Sequence, residues 1–145
     1  MVEKHNEQLA NTDSLLKFLD QNQEVDFLTY NLNDGVSLNQ LNFKNLEDKK
    51  EEITFQVKAF QRLIRIIPEN DKKTALTLMS KGIHSALQIA AMTRKDFLSR
   101  CDGTLSKELT DKIYRNALAK RSAILVQYMN KMQNNEPHIN SAKFH

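Results

Sequence analysis

The sequence predicts an all-α fold: a single domain of five to six helices, two of them long, with a central turn like that of a helix-hairpin-helix. Three observations lead there. Apolar residues recur every three to four positions through two extended stretches, 46–67 and 106–133, which is the period of one helical face. Only three Gly and two Pro interrupt the 145 residues, and no β-branched run alternates as a half-buried strand would. The stretch from Leu78 to Met92 reads as two helices meeting at one tight turn. Leu76 and Met79 line the first helix, Gly82 sits where a left-handed C-cap is wanted, Ser85 can cap the second, and Ile83 plugs the angle between them.

Taken in chain order, residues 1–12 are polar and are expected to be disordered, the helical domain spans 13–133, and 134–145 form a flexible tail. Thr12 or Asp13 can cap a short helix with Leu15, Leu16, Phe18 and Leu19 on its apolar face, ended by Gln21-Asn22-Gln23. Val25 to Tyr30 reads as extended, with Val25, Phe27 and Tyr30 as apolar pegs. Asn31 to Asn45 is Asn-rich and carries the turn signal Asp34-Gly35; recurring Leu32, Val36, Leu38, Leu41 and Phe43 make it a packed irregular segment.

The first long helix is predicted from Leu46 to Ile67. Ile53, Val57, Phe60, Ile64 and Ile67 repeat at helical spacing, and Ala59, Leu63 and Ile66 widen the stripe enough to need more than one neighbour. Pro68 stops it, since its ring clashes with the preceding turn and it has no amide donor. Asn70 or Asp71 opens the next helix, which runs to Gly82. Thr93 caps a short helix holding Phe97 and Leu98, and Asp102-Gly103 ends it. Ser106 or Thr104 starts the last and longest helix, with Leu109, Ile113, Ala117, Ile124 and Tyr128 on one face and Leu118, Leu125, Met129 and Met132 extending it.

Composition narrows the function classes. No stretch approaches the roughly 18 uncharged apolar residues of a membrane span, and the first residues lack the apolar core of a signal peptide. Cytoplasmic synthesis is the plain reading, with export lacking a signal peptide left open. Cys101 is the single cysteine, so neither a disulfide framework nor a cysteine metal site is expected. The four histidines, His5, His84, His138 and His145, never fall at the i, i+4 spacing of a helical zinc site, and no cofactor or metal is expected. No Ser-centred elbow, phosphate-binding glycine loop or paired-carboxylate motif is present, so no catalytic residue is assigned and a non-enzymatic role is expected. Met79, Met92, Met129 and Met132 are read as core filler.

The net charge of +3 hides an asymmetry. Residues 1–52 carry 5 Lys/Arg against 11 Asp/Glu (net −6), whereas residues 53–133 carry 15 against 6 (net +9). Either an acidic N-terminal arm folds over a basic body, or one half meets a charged partner. Two basic clusters stand out. Arg62 and Arg65 lie on the same general side of the first long helix, and Lys112, Arg115, Lys120 and Arg121 decorate the last. They are either solvated helix faces, with Arg115 paired to Asp111 or Glu108, or a surface that docks onto an acidic protein. Near the hairpin, Lys81, His84, Arg94 and Lys95 support an alternative. The turn is similar to the helix-hairpin-helix that grips a nucleic-acid backbone through its amides, and the lysines and arginine could attract phosphate. His84 stands where that motif has its second glycine, and its side chain obstructs a close approach.

The run Phe60-Gln61-Arg62-Leu63-Ile64-Arg65-Ile66-Ile67-Pro68, then Gly82-Ile83-His84-Ser85-Ala86 with Ile89-Ala90-Ala91-Met92-Thr93-Arg94-Lys95-Asp96-Phe97, then Ile113-Tyr114-Arg115-Asn116-Ala117, together resemble a known pattern. It is that of the α-helical region near the N-terminus of insecticidal toxin complex A components, shared with the virulence-plasmid A protein family. Phe18-Leu19 and Val25-Asp26-Phe27-Leu28 fit its upstream part, so the likeness covers roughly residues 15 to 130. Asn22-Gln23 stands where the family has Asn-Pro, and Ile67-Pro68 where it has Thr-Pro. The resemblance implies a helical shell module without enzymatic role, contacting a protein partner or a larger toxin or injection-type assembly, exported with it. A chain of this length is either one domain of such a protein or a small protein reusing the module.

Overall fold

The computed structural model describes residues 11–134. The expected disordered segment 1–12 and tail 134–145 therefore lie, apart from Asn11, Thr12 and Asn134, outside the described residues. The fold is all-α, with seven α-helices and no strand among the described residues. They are α1 (Asp13–Gln21), α2 (Gly35–Asn39), α3 (Lys50–Ile64), α4 (Lys72–Ser80), α5 (Ala86–Ala91), α6 (Arg94–Cys101) and α7 (Lys107–Asn134).

The helix beyond the expected five or six is α2. Its cause is Asp34, whose carboxylate accepts hydrogen bonds from the amides of Val36 and Ser37 and so caps one short turn. A second departure is Val25 to Tyr30, which is not extended. Asp26 folds it into turns: its side chain accepts from the Leu28 amide, and its carbonyl accepts from Thr29 and Tyr30. Side chains with an apolar period of two can thus sit on a turn when a local acceptor competes for the amides.

α3 is shorter than predicted. A 3₁₀ turn, Glu47–Lys49, precedes it, and it ends at Ile64, four residues before Pro68. Asn70, in the left-handed region at φ 52°, sends its side-chain amide back 2.7 Å to the Ile64 carbonyl, satisfying one of the open acceptors at the helix end. As the broad stripe required, α3 contacts both α1 and α4, and Ile53, Val57, Ala59, Phe60, Leu63 and Ile64 are all buried.

The hairpin forms at the expected residues. Gly82 has φ 79°, its amide reaches the Met79 carbonyl, and the Ile83 amide reaches Leu78. This is a Schellman end, closed by the apolar contact of two fully buried side chains, Leu78 and Ile83. Ser85 then accepts from the Gln88 amide, Thr93 from Asp96 and Asp71 from Thr74, capping α5, α6 and α4 in turn. Ser106 accepts from Leu109 at the start of α7.

One core runs through all these elements, from Leu15 and Phe18 on α1 to Ile113 and Ala117 on α7. Leu16 is not part of it; α1 turns it outward, because only the Leu15, Phe18 and Leu19 edge faces α3. The first half of α7 packs on α5 and α6. Beyond Leu118 every described residue of α7 is exposed, so the predicted core face ends halfway along the helix. Met129 and Met132 are consequently surface residues rather than core filler, while Met79 is buried and Met92 partly so.

Candidate interaction surface

The basic residues divide into clamps and free ends. Arg62 Nε donates to the His84 carbonyl at 3.2 Å, tying α3 to the hairpin turn, and partial burial lowers its pKa from the ordinary arginine value. Arg65 donates through Nε and Nη2 to the Leu28 carbonyl at 3.2 and 3.1 Å, tying the end of α3 to the turn after α1. The two arginines therefore reach different neighbours, and both remain exposed. Arg121 Nη1 likewise reaches the Ala90 carbonyl at 3.1 Å at the end of α5.

Arg94 and Arg115 converge on one carboxylate. Arg94 Nε lies 2.6 Å from Asp111 Oδ1, and Arg115 Nε donates to Oδ2 at 2.8 Å. Of the two partners considered for Arg115 the structure selects Asp111, one turn earlier on α7. Both guanidiniums hold the Asp111 carboxyl below the usual carboxylate range, the Arg94 hydrogen bond most strongly. Lys95 and Lys120 are exposed and Lys81 is half-buried, on three separate elements.

The amides from Lys81 to His84 are occupied. Lys81, Gly82 and Ile83 donate to carbonyls of α4, and the His84 amide donates to Gln88 Oε1 at 2.8 Å, while Gln88 Nε2 returns to the Gly82 carbonyl at 3.1 Å. A helix-hairpin-helix phosphate grip needs such amides directed outward. The four amides from Lys81 to His84 are not.

Cys101 is fully buried and its thiol is pushed up by desolvation, the opposite of what a nucleophile needs. Among the described residues, no group of three or more His, Cys, Asp or Glu side chains could hold a metal ion, and no helix is long and apolar enough to cross a membrane. His5, His138 and His145 lie outside the described residues. An open recess between α6 and α7 is lined by Arg94, Lys95, Leu98, Asp102, Lys107 and Thr110 among others; Thr110, its buried hydroxyl, is engaged with the Ser106 carbonyl at 2.8 Å.

The surface that sequence reasoning missed is the second half of α7. Leu125, Tyr128 and Met129 are 53%, 60% and 59% exposed, with Ile124, Val126 and Met132 beside them. Ile124, Leu125, Tyr128, Met129 and Met132 lie on the side of the helix that Ile113, Tyr114 and Ala117 bury in its first half. Periodicity marks that side but not where the core stops. The signal that could have marked the end was Val126, an apolar residue off the stripe.

Comparisons with protein-family models, with curated proteins and with solved structures gave no match to this chain.

Proposed function

We propose that this chain is a non-enzymatic helical interaction module that docks onto another protein through the second half of α7. One observation carries the reading: a contiguous, exposed apolar helix face continues the buried stripe of the same helix. Exposed apolar residues are ordinary when scattered, and mark contact sites when they cluster on one face. The docking surface proposed is centred on Ile124, Leu125, Tyr128, Met129 and Met132, whose exposed apolar side chains the Arg62 and Arg65 candidates do not offer. The likeness of the hairpin and α3 sequences to toxin complex A components supports the same kind of role, as part of a helical shell in a larger toxin or injection-type assembly.

A pull-down from the native host tests this. The wild-type chain is expected to retain a protein partner after nuclease treatment, and Leu125→Glu with Tyr128→Glu to lose it. A partner lost to nuclease, or retained equally by the double variant, contradicts the reading.

A further inference from the structure

We propose that the second half of α7 takes an acidic amphipathic helix of the partner, pairing with it as about two heptads of coiled coil in which a carboxylate faces Arg121. This inference rests on the docking role just given and names the chemistry of the partner. The spacing comes first. Tyr114, Leu118, Arg121, Leu125, Tyr128 and Met132 follow one another at intervals of four, three, four, three and four, the alternation of the a and d positions in a heptad. Tyr114 is buried and Leu118 partly so; from Arg121 onward the same seam is open. Ile124 and Met129 flank it, where they broaden the contact. At about 1.5 Å per residue, the exposed residues 119–134 extend roughly 24 Å, enough for a short helix pair.

Charge then selects the occupant. Residues 119–134 carry Lys120, Arg121 and Lys131 and no Asp or Glu. Arg121 lies in the seam and Lys131 at its flank, so a second copy laid parallel along the same face would set Arg121 against Arg121. A lipid surface fits less well too. A helix lying on a membrane gathers its cations on the polar side, whereas Arg121 sits inside the apolar seam, held there by the Ala90 carbonyl. That bond engages one of the five N–H donors of the guanidinium, which can fork to a carboxylate with others. A helix with apolar a and d residues and glutamates opposite Arg121 and along its flanks answers every feature.

The test titrates the full chain into a fluorescein-labelled designed peptide of about three heptads, with Leu at a and d and Glu at e, g and one central seam position. A matched peptide with Lys in place of Glu is the control. We expect saturable binding of the acidic peptide, at least about tenfold tighter than of the basic one and weaker as salt rises. Leu125→Glu with Tyr128→Glu should abolish it, and Arg121→Gln should narrow the gap between the peptides. Equal binding of both peptides, or of neither, overturns the proposal. Two parallel assays separate its failure from that of the docking role. A dimer in size-exclusion chromatography, or sedimentation with phosphatidylserine-containing vesicles, abolished by the double variant while neither peptide binds, overturns the acidic helix and keeps the docking face. A double variant indistinguishable from wild type in all three assays overturns both.

Discussion

Asn22 and Asn42 hold each other across twenty positions of sequence. The Asn42 amide donates to Asn22 Oδ1 at 2.8 Å, and Asn22 Nδ2 donates to the Asn42 carbonyl at 3.0 Å while also reaching the Phe18 carbonyl at 2.8 Å. Asn22 is buried, so this side chain ends α1 and pins the loop before α3 at once. Gln61 does the same from α3, donating to the Phe27 and Tyr30 carbonyls at 2.6 and 2.7 Å. The irregular segment between α1 and α3 is therefore fixed by buried amides as much as by its apolar pegs.

Asn22→Ala leaves an amide and two carbonyls without their partner. A loss of about 2–3 kcal/mol is expected in urea unfolding. Asn22→Asp should cost more at neutral pH, because it turns an acceptor toward two carbonyls.

Gly82→Ala tests the hairpin. At φ 79° a Cβ is strained whatever the surroundings, and a loss of about 1–2 kcal/mol is expected. Gly82→Asn should cost less, since asparagine tolerates that region. Equal stability of all three would mean that the turn relaxes.

Asp111 gives the fold a pH-dependent element. Its carboxyl is held low by hydrogen bonds from Arg94 and Arg115, so its contribution is fully present above the unfolded carboxyl pKa and is lost as pH falls through the folded one. Melting temperatures of wild type and Asp111→Asn should differ above about pH 5 and converge only as pH falls well below the ordinary aspartate value of about 3.9. Added salt should shrink the difference, because both arginines are largely exposed.

The two halves of α7 should respond oppositely to substitution. Ile113 is fully buried, and Ile113→Ala should cost about 2–5 kcal/mol. Leu125→Glu touches no core residue and should stay within about 0.5 kcal/mol of wild type.

Helical periodicity and capping residues make much of this fold legible in the sequence. Gly82, Ser85, Thr93, Asp71 and Ser106 act at their positions as local chemistry demands. The features that sequence patterns do not disclose are set by distant or competing partners. Asp26 bends a segment whose apolar pattern looks extended, Asp34 closes a helical turn in an Asn-rich run, and Gln56, Gln61 and Asn22 are buried because remote carbonyls need donors. The basic clusters are visible in the sequence, but not that Arg62, Arg65 and Arg121 reach backbone carbonyls of other elements. The face of α7 is legible as a stripe; that the core ends near Leu118 depends on where α5 and α6 lie.

Amide hydrogen exchange along α7 of the free chain tests the central claim most directly. Residues 110–118 should exchange only through global unfolding, and residues 122–134 far faster through local opening, because no described residue covers them. Equal protection along the whole helix would show that the outer half is already packed, and would contradict the account.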